Sequence, residues 1–421
     1  MQEVVLPAAH ISVSRARWHW LWFAIGVLVA IAMTRYYSWL LLDARVETDV
    51  QGHIEFIGNV CAKAFAWPAN PGFHWLTWLL SGRSCDSERL LRAATVVLGG
   101  CWGASVYLTV WVGNCLIDWH STSSVMPSAS SGRIGAPAAI GAAVVACFLF
   151  PPTVSSLIGS PDNYVGLLPP NVYHNSTLIS AMPFSVAAFG LGLRQLRAGM
   201  ASSLWIDVLL GWVLVGGALC KPSYAFAFVP AYGLLKLLQI NRKSYGKTVV
   251  SLLIALAPVL LLIIGQAWWL SAHPEVMIYG KAEFALGFPA GWKQFLPELT
   301  AWKSFMLAVG SFALPLLAYM LRPVWLQYPA HRLALGCTVL AFIQFMLVYE
   351  TGERAGHGNF TWQVIAANHL LYWVIAFDIL NWQPVTKSER LRQGALIVAV
   401  ALSAVNGLVY MYTIVTTSTY L

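Results

Sequence analysis

Asp49 and His53 stand four residues apart in the run Asp49-Val50-Gln51-Gly52-His53. If the segment is helical, that spacing puts a carboxylate and an imidazole on one face, their Cβ atoms roughly 5–6 Å apart. Such a pair can share a proton, a metal ion or a substrate, although a solvated amphipathic helix accounts for the same spacing. Three other places carry groups able to do chemistry. His174 precedes Asn175-Ser176-Thr177 at the start of an apolar stretch. A helix N-terminus there attracts anions, so His174 is a candidate phosphate-holding residue, with a structural histidine as the alternative. Lys221, in Lys221-Pro222-Ser223, interrupts an apolar run from Leu204 to Leu238. A lysine so close to hydrocarbon is either a counter-ion for phosphate or pyrophosphate or a snorkelling side chain at a tight hairpin. The stretch Glu350 to Phe360 holds two acids, Arg354, His357 and three glycines. Arg354 offers the planar fork suited to phosphate and His357 a second donor, while an ion pair of Glu350 with Arg354 is the plain reading.

The elements that position these groups follow from composition. The chain has 421 residues, 58% of them hydrophobic and only 10% charged, with 20 Trp, and its mean hydropathy is +0.66. No water-soluble domain of this size hides so much apolar surface. The runs Trp18 to Thr34, Val249 to Leu270 and Gly394 to Thr416 are each long enough to cross about 30 Å of hydrocarbon as helices. The expected fold is all-α, a single polytopic membrane domain over 1–421. About eleven spans are expected, near 18–34, 90–116, 134–152, 175–193, 203–219, 223–239, 249–270, 302–321, 333–349, 361–380 and 394–416.

Charge sets the expected orientation. Arg15, Arg17, Arg194, Arg197, Lys236, Lys247, Arg322, Arg332, Lys387, Arg390 and Arg392 all fall on the side of the N-terminus, which is therefore the cytoplasmic side. The first span reads as a retained signal-anchor in an inner (plasma) membrane. Asp43, Asp49, Glu55, Asp86 and Glu88 lie on the other, extracytoplasmic face. The net charge of +8 is thus a topology signal, and with its positive charges scattered through short turns the chain is not expected to bind nucleic acid.

The first extracytoplasmic loop, 35–88, carries Asp49 and His53 and has room for two interfacial helices, the second a Trp-rich piece from Pro71 to Leu80. Repacking of that piece against the bundle is the alternative. Cys61 and Cys85 share this loop, and an oxidising compartment permits a bridge between them. Asn368 and His369 are polar at membrane depth and are expected to hold helices together.

No Gly-rich phosphate loop, His-Glu-x-x-His, Cys-x-x-Cys or Gly-x-Ser-x-Gly occurs, which argues against nucleotide hydrolysis, zinc proteolysis and serine-esterase chemistry. What remains is a carboxylate to deprotonate an acceptor hydroxyl, with cations to stabilise a departing phosphate. With its short N-terminal segment, one span, an early acid in Thr48-Asp49-Val50-Gln51-Gly52-His53-Ile54-Glu55-Phe56 and the Pro71-to-Leu80 piece after it, the chain resembles the GT-C superfamily of polytopic glycosyltransferases. The resemblance implies a polyprenyl-phosphate-linked sugar as donor and a glycan or lipid acceptor among membrane lipids. It implies Asp49 as general base in an inverting transfer, with His53 beside it. By position it makes His174, Lys221, Arg354 and His357 the donor-phosphate residues. Many members carry an adjacent acidic pair in this loop, whereas Asp49 is flanked by Thr48 and Val50, so a divalent metal is optional in this reading. An O-antigen polymerase or ligase acting on a lipid-pyrophosphate-linked glycan, centred on Arg354 and His357, is the alternative.

Overall fold

The computed structural model describes residues 9–46, 48–120, 141, 147–151, 168–171, 173–198, 203–240, 245–276, 283–289, 300–352 and 359–418. Arg354 and His357 lie outside the described residues. Helix α1 (Ala9–Ser38) ends in a π turn, Trp39–Asp43, and is followed by two short helices, α2 (Asp49–Cys61) and α3 (Gly72–Leu80). Long helices then return: α4 (Ser87–His120), α5 (Ser176–Ala198), α6 (Leu204–Cys220), α7 (Ser223–Leu237) and α8 (Tyr245–Ala272). After them come α9 (Ala301–Ser311), α10 (Ala313–Leu321), α11 (Pro329–Leu347), α12 (Thr361–Asn381) and α13 (Lys387–Thr417). The helical expectation gains one addition: β1 (Glu283–Leu286) pairs antiparallel with β2 (Val348–Thr351), Phe284 opposite Glu350.

Seven of these helices are long and apolar enough to cross a membrane, and α9 with α10 makes an eighth if the pair, bent by 64°, is one span. The protein is therefore a helical, membrane-embedded chain. Helices stand at ten of the eleven expected positions, α6 and α7, with 17 and 15 residues, being at or below the short end of a crossing. The expected span at 134–152 lies largely outside the described residues.

Helix α12 is the centre of the bundle. Every side chain from Gln363 to Ile379 is buried, the pattern of a helix apolar all round and enclosed by neighbours. Around it α1 and α4 meet at Gly26, Gly99 and Gly103, where an added Cβ would strike Thr34 or the backbone of the facing helix. Small residues at four-residue spacing permit this approach and, with no hydrophobic drive between helices in lipid, make it the source of packing attraction. At the α9–α10 bend the freed carbonyl of Ser311 accepts from Tyr372 Oη at 2.8 Å, so that acceptor is satisfied within the bundle.

The excursion between α1 and α4 behaves as both of its expected forms. Helix α3 buries Phe73, His74 and Thr77 against the bundle and exposes Trp75, Leu76, Leu79 and Leu80. An apolar face turned outward beside membrane-crossing helices suits the headgroup boundary. Cys61 and Cys85 are disulfide-bonded, with Cα atoms 6.1 Å apart and a sequence separation of 24. The bridge ties the end of α2 to the start of α4 and encloses α3. Closing a loop of this length stabilises a native state by about 3 kcal/mol. Cys61→Ser with Cys85→Ser is expected to lower the melting temperature in detergent, and dithiothreitol is expected to shift the wild type but not the double variant.

Candidate functional site

Asp49 is the first residue of α2, and local hydrogen bonds fix it there. Thr48 caps the helix: its Oγ1 accepts from Val50 N at 3.0 Å, while Gln51 Oε1 accepts from Thr48 N at 2.9 Å. Gln51 Nε2 then donates to Val46 O at 2.8 Å, anchoring the approach. This reciprocal cap sets the helix start, so the i, i+4 spacing read in the sequence is realised as a helix face. His53 Nε2 lies 3.7 Å from Asp49 Oδ2, the two side chains being 27% and 28% exposed. That exposure leaves the carboxylate reachable while most of its water is gone.

The partner replacing that water comes from 127 residues away. The Ser176 backbone N–H donates to Asp49 Oδ1 and Oδ2 at 3.1 and 3.2 Å. Ser176 opens α5, and the next orphan amide, Leu178 N, donates to Asn175 Oδ1 at 2.9 Å. Asn175 is thus the cap, and Asp49 takes an amide that the helix itself leaves unpaired. The carboxylate sits at the positive ends of two helices, α2 and α5.

Lys221 reaches the same helix end. Its Nζ lies 3.3 Å from both Asn175 Oδ1 and Thr177 Oγ1 and 5.0 Å from the centre of the Trp362 ring, a cation over an aromatic face. His174 packs edge-on to the same indole at 5.9 Å. Lys221 arrives here because α3 seats on the end of α6: an added Cβ at Gly72 would collide with Cys220, and Asn70 Nδ2 donates to Cys220 O at 3.2 Å. The lysine therefore meets the same helix end as Asp49.

Residues 168–171, which precede His174, are held from below by α12. Asn368 Nδ2 donates to Leu168 O at 2.8 Å, and His369 Nδ1 lies 2.9 Å from Asn171 Oδ1. Tyr173 stacks on Trp102 at 5.7 Å. Asn368 also donates to Ser311 O at the end of α9, at 3.4 Å, so it joins two helices as expected, and with His369 it fastens a loop to α12 as well. Glu350 accepts from Asn359 Nδ2 at 2.7 Å.

Two participants escaped the sequence reading. Trp362 was one of 20 tryptophans with nothing to mark it. His74 lies on α3, 3% exposed, with Nε2 3.0 Å from His53 Nδ1. Its only signal was an imidazole in the apolar run Gly72 to Leu80. Among the described residues no three His, Cys, Asp or Glu side chains gather as metal ligands would. The described residues thus build no divalent-metal site of three such ligands.

Burial by itself pushes Asp49 upward, but the hydrogen bond and charge of His53, the charge of His174 and the Ser176 amide outweigh it, and its carboxyl titrates below the usual value. It is ionised throughout the neutral range. Burial lowers His174, Asp49 opposes that and Lys221 reinforces it, for a net decrease. Burial, then the charge of His53, hold His74 well below the ordinary 6.5. Compared with known proteins, the sequence matches no family model and no curated protein.

The two depressed histidines set a pH dependence. Below about 6.5 the unfolded chain binds protons that folded His74 and His174 refuse, so stability falls as pH drops through this range. The melting temperature in detergent is expected to be lower at pH 5 than at pH 7.5, and His74→Gln is expected to flatten that dependence.

Proposed function

We propose that this protein is a GT-C-type glycosyltransferase of eleven spans in an inner (plasma) membrane. Its N-terminus is cytoplasmic, and its extracytoplasmic site moves a sugar from a polyprenyl-phosphate donor to a glycan or lipid acceptor. One observation carries the reading: an ionised, partly exposed carboxylate and a lysine meet at one helix N-terminus, Asp49 on the Ser176 amide and Lys221 on Thr177. Basic residues at the opposite helix ends, such as Arg194 and Arg197 of α5 and Lys387 and Arg390 of α13, support the orientation.

In this reading Asp49 takes the proton of an acceptor hydroxyl as its oxygen attacks the anomeric carbon. The bond from that carbon to the phosphate oxygen breaks, its electron pair leaving with polyprenyl phosphate, and the single displacement inverts the centre. Charge in such a transition state develops at the anomeric carbon, so a carboxylate that is always ionised and accepts the proton late suits the step. Lys221 and His174 lie where the departing phosphate needs donors. The outward apolar face of α3 keeps the polyprenyl chain in the bilayer while its head reaches the site.

The test uses membranes containing the overproduced protein and a panel of radiolabelled polyprenyl-phosphate hexoses and pentoses, with label counted in the acceptor fraction. Asp49→Asn is expected to lower transfer by roughly 10²–10⁴-fold at unchanged protein level, the range for a general base. Lys221→Met is expected to raise the donor KM by about tenfold or more, as for the loss of one charged hydrogen bond. Full activity in Asp49→Asn together with loss in Arg354→Ala would replace this reading with the polymerase or ligase chemistry.

A further inference from the structure

His74 is an imidazole at this site to which the transfer chemistry assigns no task. Its ring is enclosed by Phe56 at 5.6 Å and Phe73 at 5.9 Å and meets His53 edge-on, centroids 4.8 Å apart and planes at 81°. Those walls hold its orientation and keep water away. The contact of His74 Nε2 with His53 Nδ1, 3.0 Å long, needs one N–H and one lone pair, since two of either kind repel. Which nitrogen carries the proton follows from what the other ends of the two rings face.

His53 Nε2 faces Asp49 Oδ2, an acceptor with no proton of its own while ionised. A negative oxygen selects an N–H opposite it, so neutral His53 is protonated on Nε2 and bare on Nδ1. His74 must then supply the proton of the shared contact from Nε2. Its own Nδ1 is left bare, and that atom is buried without a hydrogen bond of normal geometry. An empty lone pair is the cheaper state there, because a buried N–H without an acceptor forfeits a strong bond. The competing arrangement reverses both rings: His74 Nδ1–H turns to the backbone carbonyl of Asn70, one turn back, which favours a proton there. It also aims a lone pair of His53 at the Asp49 carboxylate, and that repulsion decides against it.

We propose that His74 is a positioning residue that donates from Nε2 to His53 Nδ1 and thereby holds His53 as the neutral Nε2–H tautomer directed at Asp49. In that form His53 points an N–H toward the carboxylate, and Asp49 remains the group that takes the substrate proton. The role of Asp49 as base rests on the transfer reading above, whereas the tautomer of His53 does not.

The experiment is ¹⁵N NMR of the full chain in nanodiscs at pH 7.5 with labelled histidine, the two rings assigned through His53→Gln and His74→Gln. Expected are a protonated Nε2 and a bare Nδ1 on His53, with a nitrogen–nitrogen coupling across the hydrogen bond whose donor is His74 Nε2. His74→Phe is expected to leave His53 a mixture of tautomers, and His74→Gln, whose amide can donate in the same place, to preserve the wild-type form. Transfer activity is expected to fall roughly 10–100-fold in His74→Phe, the range seen when a group that orients a site residue is lost, and to be retained within about threefold in His74→Gln. A proton on Nδ1 of wild-type His53, or unchanged His53 signals in His74→Phe, overturns the proposal. The wild-type spectrum decides the matter even if His74→Phe does not fold. If the expected spectra accompany a wild type that transfers no sugar, the positioning role stands and the transfer reading fails.

Discussion

The amide of Ser176 pointing at the carboxylate of Asp49 is the contact on which the site depends. Two deficits cancel there. Helix α5 begins with backbone amides that lack intrahelical acceptors, and α2 begins with an acid that has lost most of its water. Each supplies what the other lacks, and the two helix dipoles add to the attraction. Because the pair spans 127 residues, it docks the α2–α3 excursion onto the bundle and fixes which helix end Asp49 meets.

The rest of the architecture supports that contact. The buried α12 pins the 168–171 stretch through Asn368 and His369, which presents Asn175 and Ser176 at the right height. The Gly72 seat and the Cys61–Cys85 bridge hold α3 against the end of α6, which places His74 behind His53 and draws Lys221 inward. A cation and an anion thus occupy neighbouring positions at one helix end, Lys221 on Asn175, Thr177 and the Trp362 face, and Asp49 on the Ser176 amide with His53 beside it. Groups satisfied in this way keep their charge while remaining able to face a ligand.

Much of the helical plan was legible because its cause is local. An apolar run of about twenty residues must satisfy its own backbone in lipid, whatever surrounds it. That rule placed α1, α4, α5, α8, α11, α12 and α13 where they are found. It also placed α6 and α7 on either side of the Lys221-Pro222 break, where both helices come out at or below the short end of a crossing. The two-stranded pairing of 283–286 with 348–351 was invisible for the opposite reason, its register depending on segments more than sixty residues apart.

Sequence by itself determined the class of protein and the Asp49–His53 pair, both properties of composition or of a spacing within one helical turn. It also marked His174 and Lys221 as polar groups in costly places. Only the tertiary structure decided that these residues share one site, that Ser176 rather than a side chain completes the carboxylate, and that His74 and Trp362 belong to it. The reason is physical. Burial, helix-end dipoles and ring contacts arise between elements, and no local pattern records which helix end another element will meet.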